Sequence, residues 1–315
     1  MRCYSICFAS EGGCDLAPVK AFSRITTDES LQENVQHGSK AYPFQYYYED
    51  IWDFDFHCID WHWHPELELI YVQSGRPVCF VGEKKLVLTP GCALLINSRI
   101  LHRFEAEEST IIPNAVFSPF LLAQEDSLIF TKYIQPVLTR GKPYLCFDPA
   151  VPWQADCIRI IRQTFDLQET GELEELRTAE SLLSLWGKLF PHLQSDENTQ
   201  SKTTGRTNQV RLQIMMQYIQ EHFNESIQLE NIAKVVHIGK SSALQIFHQG
   251  IHQSPIAYLI QYRLKQAALL LTGTEKKVSV IAEETGFESA GYLCRKFKEL
   301  YGISPLDYRK GKDAL

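Results

Sequence analysis

Two stretches fifty residues apart, "SPIAYLIQYR" from Ser254 and "SPLDYRK" from Ser304, share Ser-Pro, an apolar residue and Tyr. Phe247 and Phe297 keep the same offset, as do Ile256 and Leu306. Further upstream the offset is forty-nine: Ile232-Ala233 matches Ile281-Ala282, and Ile238 matches Phe287. One extra residue in the second copy, near Glu288, accounts for the change. A duplication of this length constrains the fold more than any single motif, because each copy must form the same supersecondary unit.

Each copy reads as a short helix containing Ile-Ala, a turn, a second helix ending in Phe, and a third opened by Ser-Pro. Ser as N-cap followed by Pro at the first helical position is a strong helix start. In "SVIAEETGFESAGYLCRKFKELYG", Gly286 supplies the turn, small Ala282 permits a close helix crossing, and Gly302 closes the second helix as a left-handed cap. That is a helix-turn-helix, whose second helix enters the DNA major groove. The first copy carries His237 and His252 at the two glycine positions, and His accepts left-handed backbone better than most residues.

The charge distribution agrees with two tasks. The chain has 31 Lys/Arg and 38 Asp/Glu, a net charge of −7. Residues 207–315 hold 13 basic and 10 acidic residues, so the back is +3 and the front −10. The nine cysteines form no CxxC pair and several lie in apolar runs, as in reduced core positions. No run approaches the ~20 apolar residues of a membrane span, and a cytoplasmic protein is expected.

Between Pro43 and Pro113 short β-branched and aromatic runs alternate with Gly, Pro or Asn, the rhythm of an antiparallel barrel or sandwich. From Pro119 to Leu193 the periodicity becomes helical, with Leu173, Leu176, Leu183 and Trp186 along one face, for core packing or a dimer seam. The stretch "QSDENTQSKTTGRTN" has no large apolar residue and reads as a linker. The expected division is a tail over 1–35, a sensing and dimerisation domain over 36–193, a linker over 194–208 and a DNA-binding domain over 209–315.

In "HWHPELELIYVQSG", His62, His64 and Glu68 stand at even spacing and are expected to share one strand face. Trp61 and Trp63 would then pack on the opposite side. These are metal-ligand residue types, and equally the polar wall of a ligand pocket.

Residues 207–311 resemble the paired helix-turn-helix domain of the AraC family of transcription regulators, most closely through "IAEETGFESAGYLCRKFKELYGISPLDYR". Residues 42–190 are similar to that family's cupin-type barrel with its dimerisation helices. The resemblance implies an α+β chain: a cupin-like antiparallel β-barrel with following helices, then an all-α domain of two helix-turn-helix units. It implies that Ser241, Ser242, Gln245 and His248 of one recognition helix, and Ala290, Gly291, Arg295 and Lys298 of the other, face DNA. Leu244 falls where the family usually carries a small polar residue. The implied partners are double-stranded DNA, a small-molecule effector such as a sugar, a second copy of the chain and RNA polymerase.

The stretch from His62 to Gly75 also resembles the first cupin motif, and His102 stands at the last ligand position of the second. His62, His64, Glu68 and His102 are accordingly expected either to line the effector pocket or to hold a divalent metal. The sequence departs from the motifs at Phe56 and Arg99, where they carry Gly, and at Asn97, where they carry Pro. The alternative to a regulator is a metal-dependent cupin enzyme with a helical appendage. The duplicated helix-turn-helix favours the regulator, since an enzyme has no use for two recognition helices.

Overall fold

The computed structural model describes residues 25–28, 30–170, 174–194 and 201–310. In chain order the strands are β1 (Phe44–Tyr47), β2 (Cys58–His62), β3 (Leu67–Tyr71), β4 (Val78–Val81), β5 (Lys84–Val87), β6 (Ala93–Ile96), β7 (His102–Glu105), β8 (Asn114–Phe117) and β9 (Tyr144–Phe147). The helices are α1 (Gln135–Arg140), α2 (Pro152–Thr170), α3 (Glu174–Leu193), α4 (Ser201–Glu221), α5 (Leu229–Lys234), α6 (Lys240–Ile251), α7 (Pro255–Gly273), α8 (Val278–Glu284), α9 (Ala290–Tyr301) and α10 (Pro305–Lys310).

The strands form two antiparallel sheets, β1-β8-β3-β6-β9 and β2-β7-β4-β5. The expected barrel is thus an open cupin-like pair of sheets. Alternation along the strands sorts their side chains into three layers. On the five-stranded sheet Leu67, Leu69, Leu95 and Phe117 pack outward against α2 and α3. Ile70, Leu94 and Ile96 face inward and meet Ile59, Cys79, Val81 and Phe104 of the other sheet. Trp61 and Phe80, on the far side of the four-stranded sheet, join an apolar cluster with Leu212, Met215, Ile246 and Phe247 of the helical domain.

That third layer joins the two halves that the sequence divided at a linker. Residues from both halves fill one cluster, and the linker does not divide them. The linker itself is shorter than expected: α4 begins at Ser201, so 201–208 are its first turns, while 195–200 lie outside the described residues. Extending an existing helix is far easier than nucleating one, so polar composition alone did not break it.

The tail also ends earlier than residue 35. Leu31 is buried and Gln32 bridges Trp63 in parallel, so the segment from residue 25 onward belongs to the sandwich. Cys3, Cys7, Cys14 and Leu173 fall outside the described residues. Leu176 and Leu183 are exposed on α3, whereas Trp186 is buried and donates to the Tyr133 carbonyl at 3.0 Å.

In the helical domain the repeat is structural. His237 and Gly286 both have positive φ, 53° and 75°, in the turns before α6 and α9. His252 and Gly302 both close those helices in left-handed conformation. Ile232 and Ile281, Ala233 and Ala282, and Phe247 and Phe297 are buried in pairs at matching positions. Ser254 and Ser289 accept hydrogen bonds from the backbone of Ala257 and Tyr292, capping α7 and α9. Helix α7 spans from one unit to the other. No helix of the described residues is long and apolar enough to cross a membrane.

Candidate functional site

Helices α6 and α9 each bury one face and leave the other bare. Ala243, Ile246, Phe247 and Gly250 point into the domain from α6, as do Leu293 and Phe297 from α9. Ser241, Ser242, Gln245 and His248 lie on the exposed face of α6, with Leu244 beside them. Gly291, Arg295 and Lys298 are exposed on α9, and Ala290 is partly so. Every residue expected to face DNA therefore lies on the open side of its helix. Ser241 and Ser242 are not caps, because Gly239 holds the N-cap position of α6. The Arg295 guanidinium lies 5.2 Å from the Tyr292 ring centroid, a cation–π contact that holds it outward.

The second site lies between the two sheets. Glu68 shares the inward face of β3 with Ile70, while His62 and His102 are paired across β2 and β7. A register shift between Ile59 and His62 turns both of them inward while Trp61 faces out. His64 follows the strand, and the Pro65-Glu66 bend brings Glu68 back from the opposite sheet. The four residues thus converge by a turn between sheets, and not along one strand face as their spacing suggested.

The cluster is tight and closed. Donor atoms of His62, His64 and His102 lie within 4.8 Å of one another. The Glu68 carboxylate sits 3.1 Å from His102 Nε2 and 3.6 Å from His64 Nε2. Exposure is 3% for His62 and His64, 5% for Glu68 and 0% for His102. His62 Nδ1 donates to the Asp60 carbonyl at 2.7 Å, and His102 Nδ1 donates to the Ile100 carbonyl at 2.8 Å. Both bonds fix the tautomer that leaves Nε2 with its lone pair free.

Electrostatics prepare the same state. Burial and the neighbouring His102 push His62 down to about 3, so it is neutral at physiological pH. Burial would raise the Glu68 carboxyl, but His102 and His64 outweigh that and hold it below the ordinary carboxylate range. His64 Nε2, His102 Nε2 and Glu68 Oε2 are buried without a hydrogen-bond partner. Orphaned buried groups of this kind are costly, and a divalent cation would satisfy all of them together. Three imidazoles and one carboxylate fit such an ion.

Two further residues were missed in the sequence. His37 stacks edge-on to His64 at 5.4 Å, accepts or donates at Tyr47 Oη (2.9 Å), and approaches Glu33 at 3.2 Å. Burial works against both charges, yet the pairing wins: Glu33 is lowered and His37 raised. They straddle the boundary drawn at residue 35 between tail and sensing domain, where only the four-residue spacing of Glu33 and His37 hinted at a pair.

Two of the three departures from the cupin motifs fall at positions of positive φ, which glycine adopts readily. Phe56 and Arg99 replace glycine but hold positive φ, 61° and 62°, as Gly75 does at 76°. A helix-turn-helix domain family matches residues 232–311, and a cupin domain family matches residues 58–112. The regulator YdeC of Bacillus subtilis, described as an uncharacterized HTH-type transcriptional regulator, is 28% identical over 90% of this chain and 97% of its own length. The activator RhaS of an Enterobacter species is 24% identical over 80% of this chain and 88% of its own. The chain joins an AraC-family helix-turn-helix domain to an N-terminal cupin domain, and its relatives are named as HTH-type transcriptional regulators.

Among solved structures, the DNA-binding domain of AdpA, determined with a target DNA, is 27% identical over 33% of this chain and 94% of that one, with a TM-score of 0.32. AraC-type regulators bind double-stranded DNA. If Arg295 reads guanine, Arg295→Ala should cost about 1–3 kcal/mol on the specific site and relax preference at one base pair. Fluorescence anisotropy across single-base variants of the site checks this. An even loss over all sequences would make Arg295 a phosphate contact.

Proposed function

We propose that this AraC-family protein is a cytoplasmic, homodimeric regulator that binds specific DNA through α6 and α9 and responds to a divalent cation. The cation seats at His62, His64, Glu68 and His102. One observation carries the choice of ligand: the four residues are at most 5% exposed, yet four of their side-chain polar atoms lack partners. A sugar in contact with them would need accessible space of its own size beside them, and that degree of burial leaves room only for an ion. A tetrahedral ion such as Zn²⁺ held by all four side chains would have no open position for a substrate, which favours sensing over catalysis. The unpartnered apolar side chains Leu176 and Leu183 on α3 support a dimer seam there. Light scattering that returns only monomer at micromolar concentration would remove that part.

The test of the ligand is direct. Full-length protein stripped with EDTA is titrated with Zn²⁺, and its affinity for duplex DNA is compared with and without the ion. Binding near one Zn²⁺ per chain, with a change in DNA affinity of about fivefold or more, is expected of two linked sites. Unchanged DNA affinity at saturating Zn²⁺ would contradict the regulatory role.

A further inference from the structure

The outer face of β2, β4 and β7 is covered by the DNA-binding half, and the contact touches both helix-turn-helix units. Toward the first unit, Trp61, Phe80 and Leu101 enter the cluster built by α4 to α7, and Phe80 meets His252 at the end of α6 with ring centroids 5.9 Å apart. Toward the second, Phe56 packs on Tyr301 at the end of α9 at 4.9 Å. Between them, Lys265 of α7 pairs with the Asp60 carboxylate, and its ammonium lies 5.8 Å over the Phe56 ring. Arg103 Nη1 donates to the same carboxylate at 2.6 Å.

Asp60 therefore has two duties. Its backbone carbonyl holds the His62 ring, and its carboxylate holds α7 and Arg103. Arg103 directly follows His102, the other histidine of the pair. Asp60 lies inside the irregular stretch between Ile59 and His62, where the ladder is interrupted and the backbone is freest to shift.

We propose that Asp60 is the joint that couples occupancy of the histidine cluster to docking of the two helix-turn-helix units. This rests on the cation reading above. A cation drawing His62 and His102 onto one centre fixes the β2–β7 pair, and with it the Asp60 carboxylate that Lys265 meets. An empty cluster leaves buried nitrogens unsatisfied, so the irregular stretch relaxes and the Lys265 contact weakens. Because the docked face touches the far ends of both α6 and α9, docking sets how the recognition helices stand to one another. That relation decides whether they reach successive major grooves.

The test is hydrogen–deuterium exchange of the full chain with Zn²⁺ and with EDTA, in wild type and Lys265→Met. In wild type, Zn²⁺ should slow exchange by about fivefold or more in peptides of β2 and β7 and also in α7, the low end of coupling between linked sites. In Lys265→Met the slowing at β2 and β7 should persist and that in α7 should vanish. Asp60→Asn, which keeps the carbonyl that holds His62, should behave the same way if Lys265→Met does not fold. Slowing in β2 and β7 without any in α7 of the wild type overturns the coupling while leaving the cation site standing. An α7 response that survives both substitutions overturns it as well. No slowing anywhere overturns the cation reading, and the coupling falls with it.

Discussion

The affinity of the full chain for duplex DNA should fall by about 10³–10⁵ between 50 and 200 mM salt, as for proteins making six to ten phosphate contacts. With both α6 and α9 in grooves, the basic side chains beside them, such as Lys240, Lys296 and Lys298, would supply phosphate contacts. The net charge of −7 does not oppose this, because the acidic excess lies in the front of the chain. Filter binding over a salt series measures the slope directly. A slope near zero would mean that the exposed faces of α6 and α9 do not meet DNA.

The second large effect belongs to the cluster. His102→Ala should weaken Zn²⁺ binding about 10²–10³-fold, since ~10–16 kcal/mol of structural zinc binding is shared among four ligands. His102 is the sharpest choice because it is fully buried, its Nδ1 is committed to the Ile100 carbonyl, and only Nε2 faces the other donors. His37→Ala touches the cluster only through His64 and should cost roughly 10–100-fold, the scale of an outer-shell partner. Calorimetry on both variants separates ligand from support. Equal losses would mean that His37 binds the ion itself, and no loss in either would remove the site.

Much of this was legible in the sequence, and the reasons are local. The duplication declared itself because each unit needs the same few buried residues, and Phe247 and Phe297 or Ile232 and Ile281 cannot change freely. His237 and His252 concealed the repeat only partly, since the left-handed backbone they adopt is one that histidine tolerates. The four cluster residues were also readable by type and motif. Their convergence was attributed to one strand face, but it comes from a turn between two sheets, which period-two reasoning cannot see.

What escaped the sequence was contact between distant segments. Trp61 was read as packing, and it does pack, but nothing local says that its neighbours are Met215 and Phe247. Asp60 carried no sequence signal of its own, and its partner Lys265 is 205 positions away. Glu33 and His37 sat in a segment without periodicity, where burial arises from the cluster they cover. The front of α4 was polar enough to pass for linker, because a helix already nucleated extends through polar residues without an apolar stripe.

Selection from a pool of randomised duplex DNA with the full-length chain decides whether the two repeated units read DNA as a pair. Enrichment of a bipartite motif is expected, two short elements about 10 bp apart on one face of the helix, as successive major grooves require. Mutating Arg295 should erase preference in one element and leave the other intact. A pool that shows no enriched motif after selection, or a single unpaired element unaffected by changes in α9, would contradict paired reading.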